Sequence, residues 1–403
     1  MMKVAILGYG TVGSGVYEVL KMNADYIAQG VGEQLEIKYV LDLREFPGQD
    51  VEKVLTHDFN DIVNDPEVRV IAEVMGGEHP AYEFSKAALE AGKSVCTSNK
   101  ELVSKHGAEL LRIARENKCS YFFEASVGGG IPIIRPLNNA LTADEILEIR
   151  GIVNGTTNYI LTRMRDVGMD FDEALAEAQA NGYAERNPAA DIEGLDAARK
   201  TSILASLANR AQIDCEDIYT EGITKITAAD IAYAKKLKAN IKLLSLTKRE
   251  AGKTYAMVAP VMIRSNSQLY FVNGVFNAIM VKGNAVGDLM FYGSGAGKLP
   301  TASAVVADMI QAAKHKGVTV DTIWSEQKLK PEPKDAMRFR FFIRVPAEEA
   351  DKANKAFGIG EVADAGIPGE HGFVTDYIRE ADCEELSKDL HVINRIRCDF
   401  KYK

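Results

Sequence analysis

Long apolar runs are missing from this chain of 403 residues. No stretch reaches the roughly 18 consecutive apolar residues of a membrane-spanning helix, so no span is expected. An excess of basic residues is missing too: 48 Lys and Arg stand against 57 Asp and Glu, a formal net charge of −9. A surface that grips nucleic-acid phosphates needs the opposite balance, which argues against a nucleic-acid platform. Cysteine is sparse. Cys96, Cys119, Cys215, Cys383 and Cys398 are odd in number, far apart and never in a CxxC pair, which excludes a disulfide scaffold and a zinc site and fits a reducing cytoplasm. The histidines (His57, His79, His106, His315, His371, His391) are scattered, form neither HExxH nor a triad-like pattern, and carry no expected catalytic role. The apolar part of the N-terminus, residues 4–7, is too short for a signal-peptide core and reads as a buried strand.

What is present is ordinary globular material, 46 % hydrophobic and 26 % charged. At roughly 150 residues per domain the length suits two or three domains. In the first third, apolar runs at 3–7, 35–41, 68–74, 94–97 and 120–123 alternate with helical stretches at 12–28, 80–91 and 105–117. That alternation predicts an α/β fold with a doubly wound parallel sheet. After the glycines at 128–130 the character changes. Strand-like pieces at 146–153 and 253–260 mix with Ala-rich helices at 170–181 and 195–209, as in an α+β domain whose strands share one sheet. Residues 328–334, charged and proline-bearing, read as a linker. Beyond them the pattern predicts a strand at 338–345, a helix at 347–356 and strands at 372–379 and 395–402.

Gly8-Tyr9-Gly10-Thr11-Val12-Gly13 follows the first strand directly and opens the first helix. Glycines belong there because the backbone must turn tightly and approach a pyrophosphate whose charge meets the helix N-terminus. Helix–sheet packing alone is the simpler alternative. Asp42, at the end of the second strand, either accepts hydrogen bonds from an adenosine ribose and repels a 2′-phosphate, which favours NAD, or is simply a solvated loop carboxylate; Arg44 close by could instead welcome NADP. Asp42 lies further beyond Gly13 than the usual ~20 residues, so the first helix and its loop are expected to be extended.

Asp196 and Lys200 are spaced to share one helix face. They are either an ordinary surface ion pair or a lysine held among carboxylates as a proton shuttle, and the apolar flanks Ala197, Ala198, Ile203 and Leu204 suit the second reading. Upstream, Glu185, Asp191 and Glu193 concentrate carboxylates that could grip a substrate ammonium. The run 154–158 (NGTTN) reads as a turn or, at most, a substrate loop, and the glycines at 293–297 as a flexible turn or a second backbone approach to cofactor.

As a set, GYGTVGSG at 8–15, TSNKEL at 97–102, FEASVGGGIP at 123–132, GIVNGTTNYIL at 151–161, GYAERNPAADIEGLDAARK at 182–200 and FYGSGAGKLPT at 291–301 resemble homoserine dehydrogenase, in order, over residues 1 to about 325. The resemblance implies a Rossmann-type NAD(P)-binding domain at 1–132, completed by about 300–325, a catalytic and dimerisation domain at 133–299, and a small, divergent ACT-like regulatory domain at 335–403. It implies NAD(P)-dependent interconversion of L-aspartate 4-semialdehyde and L-homoserine, a step toward threonine and methionine, by a homodimer or larger homo-oligomer. By motif, Lys200 is implied as proton donor and acceptor at the substrate C4 oxygen, with Asp196 orienting it and Lys100 near nicotinamide and substrate. Gly182, Glu185, Asp191 and Asp196 are implied to bind the amino acid. Gly8, Tyr9, Gly10, Thr11, Val12, Gly13, Asp42, Gly76, Ser98, Lys100 and Gly297 are implied to line the cofactor. A monovalent cation, typically sodium, is implied at Glu124 and the carbonyls of Val127, Gly129 and Ile131, residues that would equally serve as an interdomain hinge. Two departures stand out. The chain offers Leu41-Asp42-Leu43-Arg44 where many relatives carry a basic residue suited to NADP, and Pro346-Ala347-Glu348-Glu349 replaces the usual Asp-x-Pro-Gly turn of the tail. A non-catalytic sensor and a reductase of another amino-acid semialdehyde are the rival readings.

Overall fold

The computed structural model describes residues 1–358 and 360–400. The chain divides into two compact units. Met1–Glu145, Ser202–Cys215 and Phe291–Leu329 make the first; Ile146–Thr201, Glu216–Met290 and the chain from Lys330 onward make the second. The last boundary falls inside the charged segment expected as a linker, and another falls within the helix Leu195–Asn209, after Thr201.

The first unit is built on a parallel sheet of β1 (Met2–Leu7), β2 (Leu35–Leu41), β3 (Leu55–Thr56), β4 (Val68–Glu73), β5 (Ser94–Thr97) and β6 (Tyr121–Phe122). The spatial order is β3-β2-β1-β4-β5-β6, with every neighbouring pair parallel. Strands covered on both faces read as unbroken apolar runs, and Val4, Ala5, Ile6 and Leu7 of β1 are fully buried. The order reverses between β1 and β4, so the carboxyl ends of these two strands flank the crevice where such sheets bind ligands. One helix was expected over 12–28; there are two, α1 (Thr11–Met22) and α2 (Ala24–Val31), parted at Asn23, whose N–H bonds back to Val19. The second helix accounts for the long spacing from Gly13 to Asp42. A helix from the third segment, Lys298–Lys314, packs on α1. There a Cβ on Gly15 would lie 2.8 Å from the Lys298 carbonyl oxygen, so only glycine admits the approach. Val16 and Leu20 meet Val305 and Met309 in the shared core, each burial worth about 1.5–3 kcal/mol.

In the second unit, strands Phe276–Gly283, Ile146–Ile152, Ala239–Glu250, Lys253–Arg264, Asn394–Asp399, Arg338–Pro346, Glu370–Val374 and Glu361–Ala363 lie side by side in that order. The strands of the α+β region share one sheet, as expected, and the strands from Arg338 onward join that same sheet. Ala239–Glu250 and Lys253–Arg264 form one long hairpin, turning through Ala251 (φ +51°) and Gly252 (φ +77°). Asn394–Asp399 runs parallel to Lys253–Arg264 and antiparallel to Arg338–Pro346. From Arg338 the chain runs strand, helix, strand, strand, a further two-residue strand, helix, strand. The strand expected at 372–379 is instead Glu370–Val374, with a short separate piece at Ile378–Arg379. The one expected at 395–402 is observed as Asn394–Asp399, and residues 401 and 402 lie outside the described residues. Among the described residues no helix is long and apolar enough to cross a membrane.

Candidate active site

In the first unit the glycine run sits where β1 gives way to α1. Gly8 adopts φ +94°, and a Cβ on Gly13 would fall 1.9 Å from the Gly8 carbonyl oxygen, so the turn itself demands glycine at both positions. Gly10 differs: its φ of −78° is open to any residue and nothing lies within 4 Å of where its Cβ would be. Space is left there for something other than protein. No side chain caps α1 and no acidic residue occupies its first turn, so its leading amides and the positive end of its dipole are available to an anion. Thr11 and Val12 open that turn. The helix that follows Gly297 (φ +122°) likewise has no side-chain cap.

Asp42 ends the β2 segment beside this turn. Its Oδ2 accepts the Tyr9 N–H at 2.7 Å, and its carboxylate takes the Arg44 guanidinium through Nε and Nη2, each at 2.9 Å. The Arg44 hydrogen bonds outweigh burial, which acts the other way, and hold the Asp42 carboxyl well below the usual carboxylate range. Arg44 is exposed and lies over the Phe46 ring.

Beneath the segment that carries Gly76 stands Glu73, at the carboxyl end of β4 and fully buried. It accepts the Met75 N–H at 2.8 Å and the Thr97 hydroxyl at 2.5 Å. Thr97 Oγ1 in turn accepts the Asn99 N–H, Asn99 Oδ1 caps the helix Lys100–Glu116 through Leu102 N–H, and Asn99 Nδ2 donates to the Gly77 carbonyl at 2.6 Å. This network fixes both the 75–77 loop and the helix start that presents Ser98 and Lys100. Burial pushes the Glu73 carboxyl up to about 7, against the pull of its hydrogen bonds.

Glu124 is buried, and its carboxylate is taken up by the backbone N–H groups of Ile133, Ile134 and Arg135 at 2.6–2.8 Å. Asp308 accepts the Glu124 N–H and pairs with Arg135. Burial, then the neighbouring Glu124 charge, pushes the Asp308 carboxyl up to about 7. Gly128 and Gly129 both adopt positive φ, and a Cβ on Gly129 would meet the Gly295 backbone at 2.7 Å. The buried carbonyls of Val127, Gly129 and Ile131 accept no hydrogen bond among the described residues. Orphaned carbonyls of this kind suit a hard cation.

In the second unit Lys200 and Asp196 are 9 % and 6 % exposed, which rules out a solvated surface pair. Lys200 Nζ donates to Asp196 Oδ2 at 2.7 Å and to the Val153 carbonyl at 2.8 Å. An ammonium has three hydrogens, so one is left for a reacting oxygen. The Asn154 amide donates to Asp191 at 2.7 Å and to Asp196 at 2.9 Å, tying the two carboxylates together. A pair this buried persists only because each charge is so bonded. Asn154 is not in a turn, as expected from sequence, but is the N-cap of the helix Gly155–Val167, accepting the Thr157 N–H. Gly182 (φ +73°) and Glu185 lie on an exposed loop, joined to that helix by the Thr156 hydroxyl, which donates to the Tyr183 carbonyl. No hydrogen bond among the described residues links the Glu185 side chain to the Lys200 cluster. Glu73 is the polar residue that the sequence does not point to, and Asn154 stands in a run that it marks only as a turn or substrate loop. The Asn-Gly-Thr-Thr start was a capping signal; Glu73 left none, being the last letter of an apolar strand. A cavity of about 740 Å³ in the same unit, lined by Arg150, Lys248, Phe339 and Tyr377 among others, shares no residue with the Lys200 cluster.

A family model described as homoserine dehydrogenase matches residues 132–310, and one described as homoserine dehydrogenase, NAD binding domain, matches residues 8–124. The homoserine dehydrogenase of Bacillus subtilis (strain 168) is 39 % identical over 422 aligned positions, covering 99 % of this chain and 98 % of its own length. The crystal structure of a homoserine dehydrogenase from Thiobacillus denitrificans is similar with a TM-score of 0.90 at 34 % identity, covering 99 % of this chain and 98 % of that one. A hyperthermophilic archaeal homoserine dehydrogenase in complex with NADPH is similar with a TM-score of 0.65 at 28 % identity, over 77 % of this chain and 97 % of its own. Likeness sustained from end to end, rather than at one glycine motif, places the chain in the homoserine dehydrogenase family, oxidoreductases with an NAD-binding domain.

Proposed function

We propose that the chain interconverts L-homoserine and L-aspartate 4-semialdehyde, with Lys200 moving the proton at the C4 oxygen. The observation that carries this reading is the buried ammonium of Lys200, held by Asp196 and the Val153 carbonyl with one N–H to spare. When bound, nicotinamide supplies or accepts the hydride at C4. In the reductive direction the Lys200 ammonium donates its third hydrogen to the aldehyde oxygen as the alcohol forms; in the oxidative direction the neutral amine takes the hydroxyl proton back. Asp196 keeps the lysine oriented, and Lys100 lends positive charge beside the nicotinamide. Asp191, Asp196 and Glu185 bind the substrate ammonium, with the Gly182 backbone on the same loop. Gly8–Gly13, Gly76, Ser98, Lys100 and Gly297 receive the dinucleotide, and the ionised Asp42 favours NAD over NADP by accepting ribose hydroxyls. The Val127, Gly129 and Ile131 carbonyls, with Glu124 supplying negative charge, hold a monovalent cation, sodium by the chemistry of the donors. The strand and helix order from Arg338 onward supports a small ACT-like regulatory domain there. The half-buried Leu246, Tyr255 and Met280 on the mixed sheet support assembly of a homodimer through it, and the free cysteines suit a cytoplasmic protein.

The test is the initial rate with L-homoserine and either NAD or NADP, with and without sodium, beside the mass in solution. A homoserine-dependent rate, faster with NAD, is expected. Lys200→Ala should lower kcat by roughly 10²–10⁴-fold with cofactor binding near normal; retention of most of kcat would remove Lys200 from the proton path.

A further inference from the structure

Within the second unit a run of contacts starts on the strand Asn394–Asp399 and ends at the Lys200 cluster. Arg397 is 2 % exposed. Its Nε and Nη2 donate to Glu380, and its Nη1 donates to Glu221 Oε2 at 2.6 Å. The guanidinium lies over the Tyr219 ring, and the Tyr219 hydroxyl donates to the same Glu221 oxygen at 3.0 Å. Glu221 is thus gripped at its carboxylate, while its backbone N–H is held by the Val258 carbonyl at 2.8 Å. The next residue, Gly222, presses on the segment that leads into the catalytic helix: a Cβ there would stand 2.1 Å from the Ile192 carbonyl oxygen and 2.5 Å from Glu193 Cα. Ile223 N–H then donates to that Ile192 carbonyl at 2.8 Å. Residues 191–194 turn directly into the helix, with Gly194 N–H bonded to the Asp191 carbonyl. Asp191 and Asp196 share the Asn154 amide, and Asp196 holds Lys200.

We infer that Arg397, acting through Glu221, is a positioning residue for the amino-acid substrate: it seats residues 220–223, against which the Asp191 turn is braced. This rests on reading Asp191, Asp196 and Lys200 as the substrate site. Burying a guanidinium is costly unless its donors are matched, and Glu380 alone matches two of the three nitrogens. The third fixes Glu221, a partly exposed side chain that water would otherwise solvate. Arg395, on the same strand, bonds to Glu380 and Glu384 and does not reach Glu221, so it stabilises the tail alone.

Glu221→Ala tests the inference. KM for L-homoserine should rise about tenfold, equivalent to about 1.4 kcal/mol. kcat should stay within about twofold and KM for the nicotinamide cofactor should not move, the signature of lost ground-state binding. Glu221→Gln keeps an oxygen for Arg397 and the Tyr219 hydroxyl and should restore KM to within about twofold of the parent. Amide exchange at Ile223 should quicken in Glu221→Ala without substrate present. Arg395→Ala should lower thermal stability and leave KM alone. An unchanged homoserine KM in Glu221→Ala, an unchanged Ile223 exchange rate, or an equal KM rise in Arg395→Ala would each overturn the inference. Normal turnover by Lys200→Ala would instead overturn the reading of the site, whatever the exchange rate at Ile223.

Discussion

Glu73→Gln isolates the behaviour of a single buried carboxyl. Glu73 is fully buried at the end of β4, and desolvation raises its carboxyl from 4.5 to about 7. In the unfolded chain the same group ionises near 4.5. Its folded-state value is raised, so the stability tied to its protonated form is present below pH 4.5 and is lost as pH climbs to about 7. At about 1.4 kcal/mol per pH unit the loss approaches about 3 kcal/mol. Glutamine does not titrate, so the stability of Glu73→Gln minus that of the parent should rise by about 3 kcal/mol between pH 4 and pH 8. Trp324 makes the assay selective. It is the chain's one tryptophan, fully buried in the same unit as Glu73, with its indole N–H on Gln212 and its ring against Gly107. Urea unfolding followed by its fluorescence therefore reports that unit. A stability difference that stays flat across the window, or that falls as pH rises, would refute the desolvation argument.

The glycine turn offers a contrast of neighbours: Gly13→Ala drives a Cβ into the Gly8 carbonyl and should cost about 1–3 kcal/mol of stability together with cofactor affinity. Gly10→Ala, with open space around it, should change stability by less than about 0.5 kcal/mol yet weaken cofactor binding measured by fluorescence titration; equal melting losses in the two would contradict the assignment of that space to a ligand. Lys242, buried and bonded to Asn158, Val272 and Asn273, has its ammonium pushed down to about 7 by desolvation. Because that value lies below 10.5, the parent should gain stability relative to Lys242→Met as pH rises from about 7 to 10.5, and parallel unfolding midpoints over that range would speak against it.

Much of the first unit could be read from sequence because a parallel sheet buries both faces of its strands. Ser94–Thr97 was bounded at the right residues for that reason; Leu35–Leu41 was bounded correctly too, although only Val40 and Leu41 of it are buried. The helix before Gly92 closed where its glycine does. Local chemistry explains the misses. The helix from Lys100 was expected five residues late because its start is set by the Asn99 cap and not by apolar spacing. The strand Ala239–Glu250 was not foreseen, since Lys242 near its start, fully buried and paired to neutral oxygens, breaks the apolar run. At the site, the Asp196–Lys200 spacing was visible, but its burial and the bridging role of Asn154 depend on residues far apart in sequence. The choice of an enzyme over a sensor followed from family likeness, which spacing alone could not supply.

The strand Asn394–Asp399 carries a consequence for how the chain is assembled. Arg397 pairs with Val261 on one side and Phe341 on the other, so a late segment of sequence fills the middle of the mixed sheet. During synthesis the hairpin from Ala239 to Arg264 exists long before that partner does. The stretch of its edge at Val261–Ile263, which that strand covers, stays unpaired meanwhile, and all three of its residues are buried. Closing so long a loop is entropically slow, and an apolar edge left waiting is where newly made chains stick to one another. The sheet is thus completed from its centre last, and the interval before that strand arrives is when the nascent protein most needs a chaperone.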